Sequence, residues 1–354
     1  MKKISVNEIY RPQILARSIV TDTGTVLLYE GAEVRGDHIE KLIENNIEEI
    51  YVEDEADISG RADVFSIEAI EHESIESIKN AINKVVQQDD AESAAVIEKA
   101  AADIILNIIS NKEVYGCMVD VKRSNPDIYT HMVDVASIST IMGIKCGFSQ
   151  TQLNDIALGA LLHDAGLCKV TVPFYDVDIA KMPAVDKLNY RKHVIYGYEL
   201  LHNYSWMTEM AELIVLSHHE YMDGSGYPFH KSGERIPPEV RLVSICDHLN
   251  ELINGIGFKS KKIPAAVELF RTAETYLFDY DLMSCIIKNI AWYPNGSKVR
   301  TNEGEEAIVV SQNRGLPDRP VIRIVKNADG TPCNQNLVKD LTECLTLFLT
   351  DIIE

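Results

Sequence analysis

Positive charge is scarce in this sequence: 34 lysines and arginines stand against 54 aspartates and glutamates, a formal net charge of −20. Nucleic acid and anionic membranes are gripped by clusters of Lys and Arg, so a broad surface for either is excluded. A small anionic ligand is compatible with such a chain if a local positive centre holds it, and bound divalent cations are the usual way to place one. Any C-x-x-C pair is also missing. The seven cysteines, Cys117, Cys146, Cys168, Cys246, Cys285, Cys333 and Cys344, are scattered and odd in number, which argues against a disulfide frame or a zinc ribbon. They read as reduced thiols serving as small core residues. No apolar run approaches the ~18 residues of a membrane span. The opening Met1-Lys2-Lys3-Ile4-Ser5-Val6-Asn7-Glu8 lacks the apolar stretch of a secretory signal. The expectation is a cytoplasmic protein with no membrane span.

What is present fits a folded globular protein: 46% apolar and 25% charged residues. At ~150 residues per domain, 354 residues suggest two or three units. Residues 1–60 read as a small α+β unit. Its runs Ile14 to Val20 and Val26 to Tyr29 are joined by Thr21-Asp22-Thr23-Gly24, which is hairpin chemistry; a helix from Asp37 and a strand Ile50-Tyr51-Val52 follow. Residues 61–122 form a helical connecting segment, with Ile67, Ile70, Ile75, Ile78, Ile82 and Val85 at three- and four-residue spacings from about Ser66 to Lys112. A turn at Gln87 to Glu92 offers Asp90 as a cap. These helices suit packing on each other or on a second copy, as in a homodimer. Residues 123–290 are helix-rich and hold most of the histidines, and residues 291–354 are β-rich, with turns at Pro294-Asn295-Gly296 and Asn302-Glu303-Gly304. The fold class is mainly α, with small flanking units at each end.

Within the central block, His131, His163-Asp164, His193, His218-His219 and Asp247 recur about once per helix and loop, a spacing that lets each helix contribute one inward group. A single histidine there would ordinarily be a satisfied core or surface residue; seven candidate ligands together point to a metal centre. Adjacent helical residues diverge by about 100°, so His163 and Asp164 cannot aim alike but can serve two ions side by side. A carboxylate can join two cations whereas an imidazole nitrogen serves one, which makes Asp164 the candidate bridge. Two metals ~3.5–4 Å apart suit phosphodiester hydrolysis. A redox di-iron bundle would instead show several Glu ligands in Glu-x-x-His spacing, absent from this block.

The stretch His218-His219-Glu220-Tyr221-Met222-Asp223-Gly224-Ser225-Gly226-Tyr227-Pro228 closely resembles the HH-E-x-x-D-G-S-G-Y-P signature of HD-GYP domains, with His163-Asp164 at the HD position. The resemblance covers about 140 residues: His193 to Leu201 is similar to the family's third His motif, and Arg241 to Asp247 to the segment ending in the last Asp ligand. It implies an all-α HD-type core holding two, sometimes three, divalent metals, iron or manganese, and hydrolysing cyclic di-GMP to pGpG and onward to GMP. It also implies one metal on His131, His163, Asp164 and Asp247 and another on His193, His218 and His219, with Asp164 between. A third metal in some members uses a Glu one turn before the first His, where this chain has Asp127. Gly226 and Tyr227 fall on the loop that borders substrate.

The chain departs from the family at two places. Many members read H-D-x-G-K, but here Leu167 follows Gly166, which leaves Lys169 to take the lysine's catalytic role beside Asp164. Where many members carry R-P-Y, this chain reads Ile256-Gly257-Phe258-Lys259, keeping Lys259 as one substrate contact without arginine's bidentate grip. The resemblance implies a phosphodiesterase for a cyclic dinucleotide; the alternatives are a catalytically weak cyclic-dinucleotide sensor and a phosphodiesterase for cyclic GMP-AMP.

Overall fold

The computed structural model describes residues 127–313, 315–333, 335 and 337–353 and, upstream, residues 2–6, 9, 13–14, 19–21, 26–28, 33–34, 39, 42–45, 47–52, 64–66, 72–87, 91–110 and 118–121. Asp22 to Gly24, Tyr29, Asp37, Ile67, Ile70, Asp90 and Cys117 of the sequence reading lie outside these residues.

In the N-terminal unit, β1 (Lys2–Ser5) pairs antiparallel with β6 (Glu49–Val52), β2 (Gln13–Ile14) with β5 (Glu33–Val34), and β3 (Ile19–Val20) with β4 (Val26–Leu28). The expected hairpin is there in β3 and β4. Ile14 does not belong to it, because its strand pairs with Glu33. Val6, Val34, Leu42, Ile50 and Val52 bury together as a core of this unit's own.

Two helices follow, α1 (His72–Gln87) and α2 (Ala91–Ser110), bracketed by β7 (Val64–Ser66) and β8 (Met118–Asp120), which pair in parallel. Ser66 is therefore strand, not helix. The apolar stripe of α1 (Ile75, Ile78, Ile82, Val85) and Ile97 and Ile104 of α2 join the main core of the same chain. These positions are thereby occupied by intrachain packing.

The middle of that core is α3 (Ile128–Lys145), buried without interruption from Thr130 to Gly143. A helix apolar nearly all round must be enclosed, so the polar groups on it, His131 among them, are forced into the interior. The helices that follow are α4 (Gln150–Leu162), a tight 3₁₀ turn at Ala165–Lys169, α5 (Ala184–Arg191), α6 (His193–Leu201), α7 (Glu209–Ser217), α8 (Pro238–Asn254), α9 (Ile263–Thr272) and α10 (Tyr280–Asn289); α4, α8 and α10 pack on α3, and α6 packs on the 3₁₀ turn and α7. The ends are chemically marked. Ser149 and Gln152 form a reciprocal capping box on α4, Thr208 caps α7, and α8 starts on Pro238 and stops at Gly255, whose φ is +74°. Among the described residues no helix is long and apolar enough to cross a membrane.

The last unit is a five-stranded antiparallel sheet: β9 (Lys298–Thr301), β10 (Glu306–Ser311), β11 (Val321–Lys326), β12 (Val338–Asp340) and β13 (Leu349–Ile352), in the order β12-β11-β10-β9-β13. Alternating residues, Val299, Ala307, Val309, Ile322 and Ile324, turn inward. The molecule is thus mainly helical, with small β-containing units at both ends. The cysteines differ from expectation: the six described are free thiols, but Cys246 alone of them is fully buried and Cys168 is exposed.

Candidate metal centre

Three imidazoles are oriented by carbonyls at helix ends, His163 and His218 by their own helices and His193 by the end of α5 before it. His163 Nδ1 lies 2.6 Å from Ala160 O, His193 Nδ1 2.8 Å from Tyr190 O and His218 Nδ1 3.0 Å from Val215 O. A carbonyl only accepts, so Nδ1 donates in each, and Nε2 carries the free lone pair when the ring is neutral. His131 is set in the same way from across the core, by Asn250 Oδ1 at 2.7 Å. Hydrogen bonds of this kind fix a ring's tautomer and direction for metal binding.

The four Nε2 atoms converge on one carboxylate. His131 and His163 Nε2 are 3.2 Å apart, each 3.5 Å from Asp164 Oδ2, and 3.1 and 3.2 Å from Asp247 Oδ1. His193 and His218 Nε2 are 3.3 Å apart and lie 3.3 and 3.7 Å from the other Asp164 oxygen, Oδ1. Donors at ~2.0–2.1 Å around one tetrahedral ion stand ~3.3 Å from one another, so both groups have the spacing of an ion's coordination shell. His219 joins the second group, its donor within 4.8 Å of those of Asp164, His193 and His218.

All seven residues are buried. Asp164 Oδ1, Asp247 Oδ1 and His219 Nε2 have no hydrogen-bond partner, and each such orphan costs ~1–3 kcal/mol. Divalent cations among these donors would satisfy all three, so the residues fit a multinuclear centre. The charges divide accordingly. Burial alone would lower His131 and His163, yet Asp164 and Asp247 hold both above the usual imidazole range. Burial alone would raise the two aspartates, yet the histidines hold both carboxyls well below the usual range. On the other side, burial pushes His193 down to about 4, and burial with His218 and His193 pushes His219 well down. Those two rings stay neutral at ordinary pH, their lone pairs free for a cation.

Two glycines make this convergence sterically possible. A Cβ on Gly166 would sit 2.0 Å from His193 O and 2.5 Å from Gly197 N, because the turn after His163-Asp164 lies backbone to backbone on α6. A Cβ on Gly226 would sit 2.3 Å from His219 O and 2.5 Å from Tyr221 N. There the loop folds back over the second pair of histidines, Tyr227 N donating to His219 O at 3.0 Å and the Tyr227 ring stacking on His219 at 4.8 Å. Glu220 secures the loop by accepting from Phe229 N at 2.6 Å and Lys231 N at 2.9 Å.

Three sequence-derived candidates are placed otherwise. Asp127 is exposed, and its carboxylate is spent capping α3, accepting from Thr130 N at 2.8 Å. Lys169 is exposed with its ammonium 5.9 Å over the Tyr196 ring, while Leu167 is buried with Ile179 and Tyr190. Lys259 is at the surface, paired with Asp176 at 3.1 Å. Conversely, a cleft beside the centre is lined by Lys187, Tyr190, Arg191, His219, Tyr227 and Glu251, with the Arg191 guanidinium 5.0 Å over the Tyr227 ring. Sequence reasoning missed Lys187, Arg191, Asn250 and Glu251. The last two follow Asp247 by three and four residues and so share its helix face, a signal available without coordinates.

Behind this face His248 is buried among Phe258, Phe270 and Phe278, with Nε2 3.1 Å from Glu274 and Nδ1 3.6 Å from Glu251. Burial would lower it, but Glu251 and Glu274 raise it to about 9. Its unfolded value is about 6.5, so its contribution to stability is complete below that pH and is lost as pH rises through about 9. Burial with Asp247 raises the Glu251 carboxyl to about 7, so Glu251 also lowers stability with rising pH, but in the window between its unfolded value and about 7. The Tm of metal-free protein should therefore fall from pH 7 to 9, and His248→Gln should flatten that part of the profile. An unchanged slope in the variant would assign it to other groups.

The HD domain family matches residues 112–282, and the family described as a KOW domain associated with HD domain matches residues 298–354. A cyclic di-GMP phosphodiesterase of Pseudomonas aeruginosa, PA4108, is 26% identical over 230 residues, covering 63% of this chain and 55% of that protein. The 3'3'-cGAMP-specific phosphodiesterase 2 of Vibrio cholerae is 30% identical over 147 residues, covering 40% of this chain and 27% of that protein. The chain thus spans about half the length of the first relative and less of the second. In fold it is similar to Bd1817, an HDG"Y"P protein from Bdellovibrio bacteriovorus, with a TM-score of 0.52 at 18% identity, covering 81% of this chain and 98% of that one. The metal-site sequence, its buried geometry and these matches agree: residues 112–282 are an HD domain homologous to those of the HD-GYP cyclic di-GMP phosphodiesterases.

Proposed function

We propose that this protein is a metal-dependent phosphodiesterase that opens a cyclic dinucleotide, cyclic di-GMP first among them, to its linear form and onward to the mononucleotide. The observation that carries this reading is the divided Asp164 carboxylate, Oδ2 among His131, His163 and Asp247 and Oδ1 among His193 and His218. Iron or manganese suits this mixture of imidazole and carboxylate. Divalent cations held there supply Lewis acidity toward a phosphoryl oxygen and lower the pKa of a water.

The chain's own groups do the rest. Asp164 and Asp247 neutralise part of the cations' charge, and Asn250 and the helix-end carbonyls hold the imidazoles in place, so no reorganisation is needed as charge develops. The Tyr227 phenol, held well above its usual range by burial, stays protonated and can donate to the substrate. Arg191 and Lys187 at the cleft give the second phosphate a positive wall. Phe258 offers a flat face to a base.

A second reading, a dinucleotide sensor with little turnover, is favoured by Leu167, which buries an aliphatic side chain where many relatives place a lysine. One experiment separates the two. Protein loaded anaerobically with Fe(II) or Mn(II) is incubated with cyclic di-GMP and with 3'3'-cyclic GMP-AMP, and products are resolved by chromatography. Linear product is the expected result, and the faster substrate identifies the dinucleotide. Binding without product supports the sensor; neither binding nor product, with metal present, ends both readings.

A further inference from the structure

Cys146 and Cys285 take no part in the metal centre, yet they meet as a pair. Cys146 is the C-cap of α3, and Cys285 lies on α10, which packs on α3. The Cys146 thiol donates to Cys285 Sγ at 3.0 Å, across 139 residues of chain, too close for any atom to intervene. Asn289 Nδ2, bonded to Cys285 O at 2.8 Å, also reaches that sulfur at 3.9 Å. Donors thus converge on Cys285, and Lys145 and Lys288 add positive charge beside it in an otherwise acidic chain. The Cys146 hydrogen bond, helped by these lysines, holds the Cys285 thiol below its usual range although burial pushes it up. The thiolate is the reactive form of cysteine. Both residues are half-buried, which leaves Cys285 open to a small oxidant. Among the described residues no other two thiols are hydrogen-bonded to each other.

We infer that Cys146 and Cys285 form an oxidative modification site, a dithiol that a hydroperoxide closes into a disulfide. First the Cys285 thiolate attacks one peroxide oxygen and the O–O bond breaks. Hydroxide leaves and becomes water with the proton that Cys285 gave up on ionising, and Cys285 is left as a sulfenic acid. The Cys146 sulfur then attacks that of Cys285, the S–O bond breaks, and the oxygen departs as water with the Cys146 proton. Together the thiols lose two electrons and two protons, and one hydrogen peroxide becomes two waters. The new bond ties the end of α3 to α10. His131 lies in the first turn of α3, ~22 Å from Cys146 at 1.5 Å per residue, so the tie leaves the metal ligands in place. A link across so much chain removes freedom from the unfolded state, and the oxidised form should resist urea better than the reduced one.

Full-length protein, reduced and then freed of reductant, is exposed to hydrogen peroxide and mapped by protease digestion and mass spectrometry without reduction. The expected product is a peptide carrying Cys146 joined to one carrying Cys285, two hydrogens lighter than their sum. The urea midpoint should rise with its formation and return with dithiothreitol. Cys146→Ser should leave Cys285 as a sulfenic acid that dimedone traps, whereas Cys285→Ser should leave Cys146 a free thiol at the same peroxide dose. The reverse pattern of trapping overturns the assignment of Cys285 as the attacking sulfur. Cys146 and Cys285 both still free for alkylation once the exposed Cys168 is oxidised, or each joined to some other cysteine, overturns the inference as a whole. The map of the wild-type chain decides this even if neither serine variant folds.

Discussion

Asp164→Asn should lower phosphodiester turnover by about three orders of magnitude or more and cut the bound metal to half or less. The replacement keeps the side chain's shape and removes its charge and one of its two oxygens. Those oxygens are not equivalent: Oδ2 faces His131 and His163, Oδ1 faces His193 and His218. An amide nitrogen does not coordinate a divalent ion, so whichever way the amide turns, one group of histidines loses its anionic member. Loss of the joint Lewis-acid action of the metals corresponds to several kcal/mol of transition-state stabilisation, and about 4 kcal/mol is already ~1000-fold. The prediction holds for any phosphodiester substrate. It is checked by turnover under saturating metal, with metal analysis of the same samples. Near-wild-type turnover in a variant of reduced metal content would show that the chemistry does not need the bridge.

That Asp164 stands at the junction was legible from residue types, because it adjoins the ligand His163 and a carboxylate, unlike an imidazole nitrogen, can join two cations. The helical core, the terminal β units and the Gly226 turn were equally legible, since apolar periodicity and turn chemistry act locally. What escaped was whatever depends on how helices meet. Asp127 has the right spacing from His131 to share its face, but it also stands just before α3 as its N-cap, where a free backbone N–H competes for its carboxylate and wins. Lys169 and Lys259 offered plausible positive charge by position, yet burial of Leu167 and the Asp176 pair direct them outward. The cations at the cleft, Lys187 and Arg191, sit on a short helix before His193 and belong to no part of the quoted motifs. Their relation to Tyr227 exists only after α5 and the Gly-Ser-Gly-Tyr-Pro loop are packed.

Gly166→Ala should destabilise the fold by about 4 kcal/mol, near the upper end of single substitutions, through backbone overlap rather than lost burial. In the native packing its Cβ would stand 2.0 Å from His193 O and 2.5 Å from Gly197 N, and neither atom can move without moving α6. His193 is the first residue of that helix, with its ring aimed at Asp164 Oδ1. The same displacement that relieves the clash therefore pulls an imidazole out of the second group. Stability and metal binding should fall together, with Tm lower by ~10 °C. Gly197→Ala is the internal control, since its Cβ would meet chiefly a movable side-chain methyl, Val215 Cγ1, at 3.0 Å. That costs about 1 kcal/mol, as mild overpacking does. Urea denaturation of both variants, with bound metal measured alongside, checks the contrast. If the two glycines prove equally tolerant of alanine, the close approach of the His163-Asp164 turn to α6 is not what positions His193.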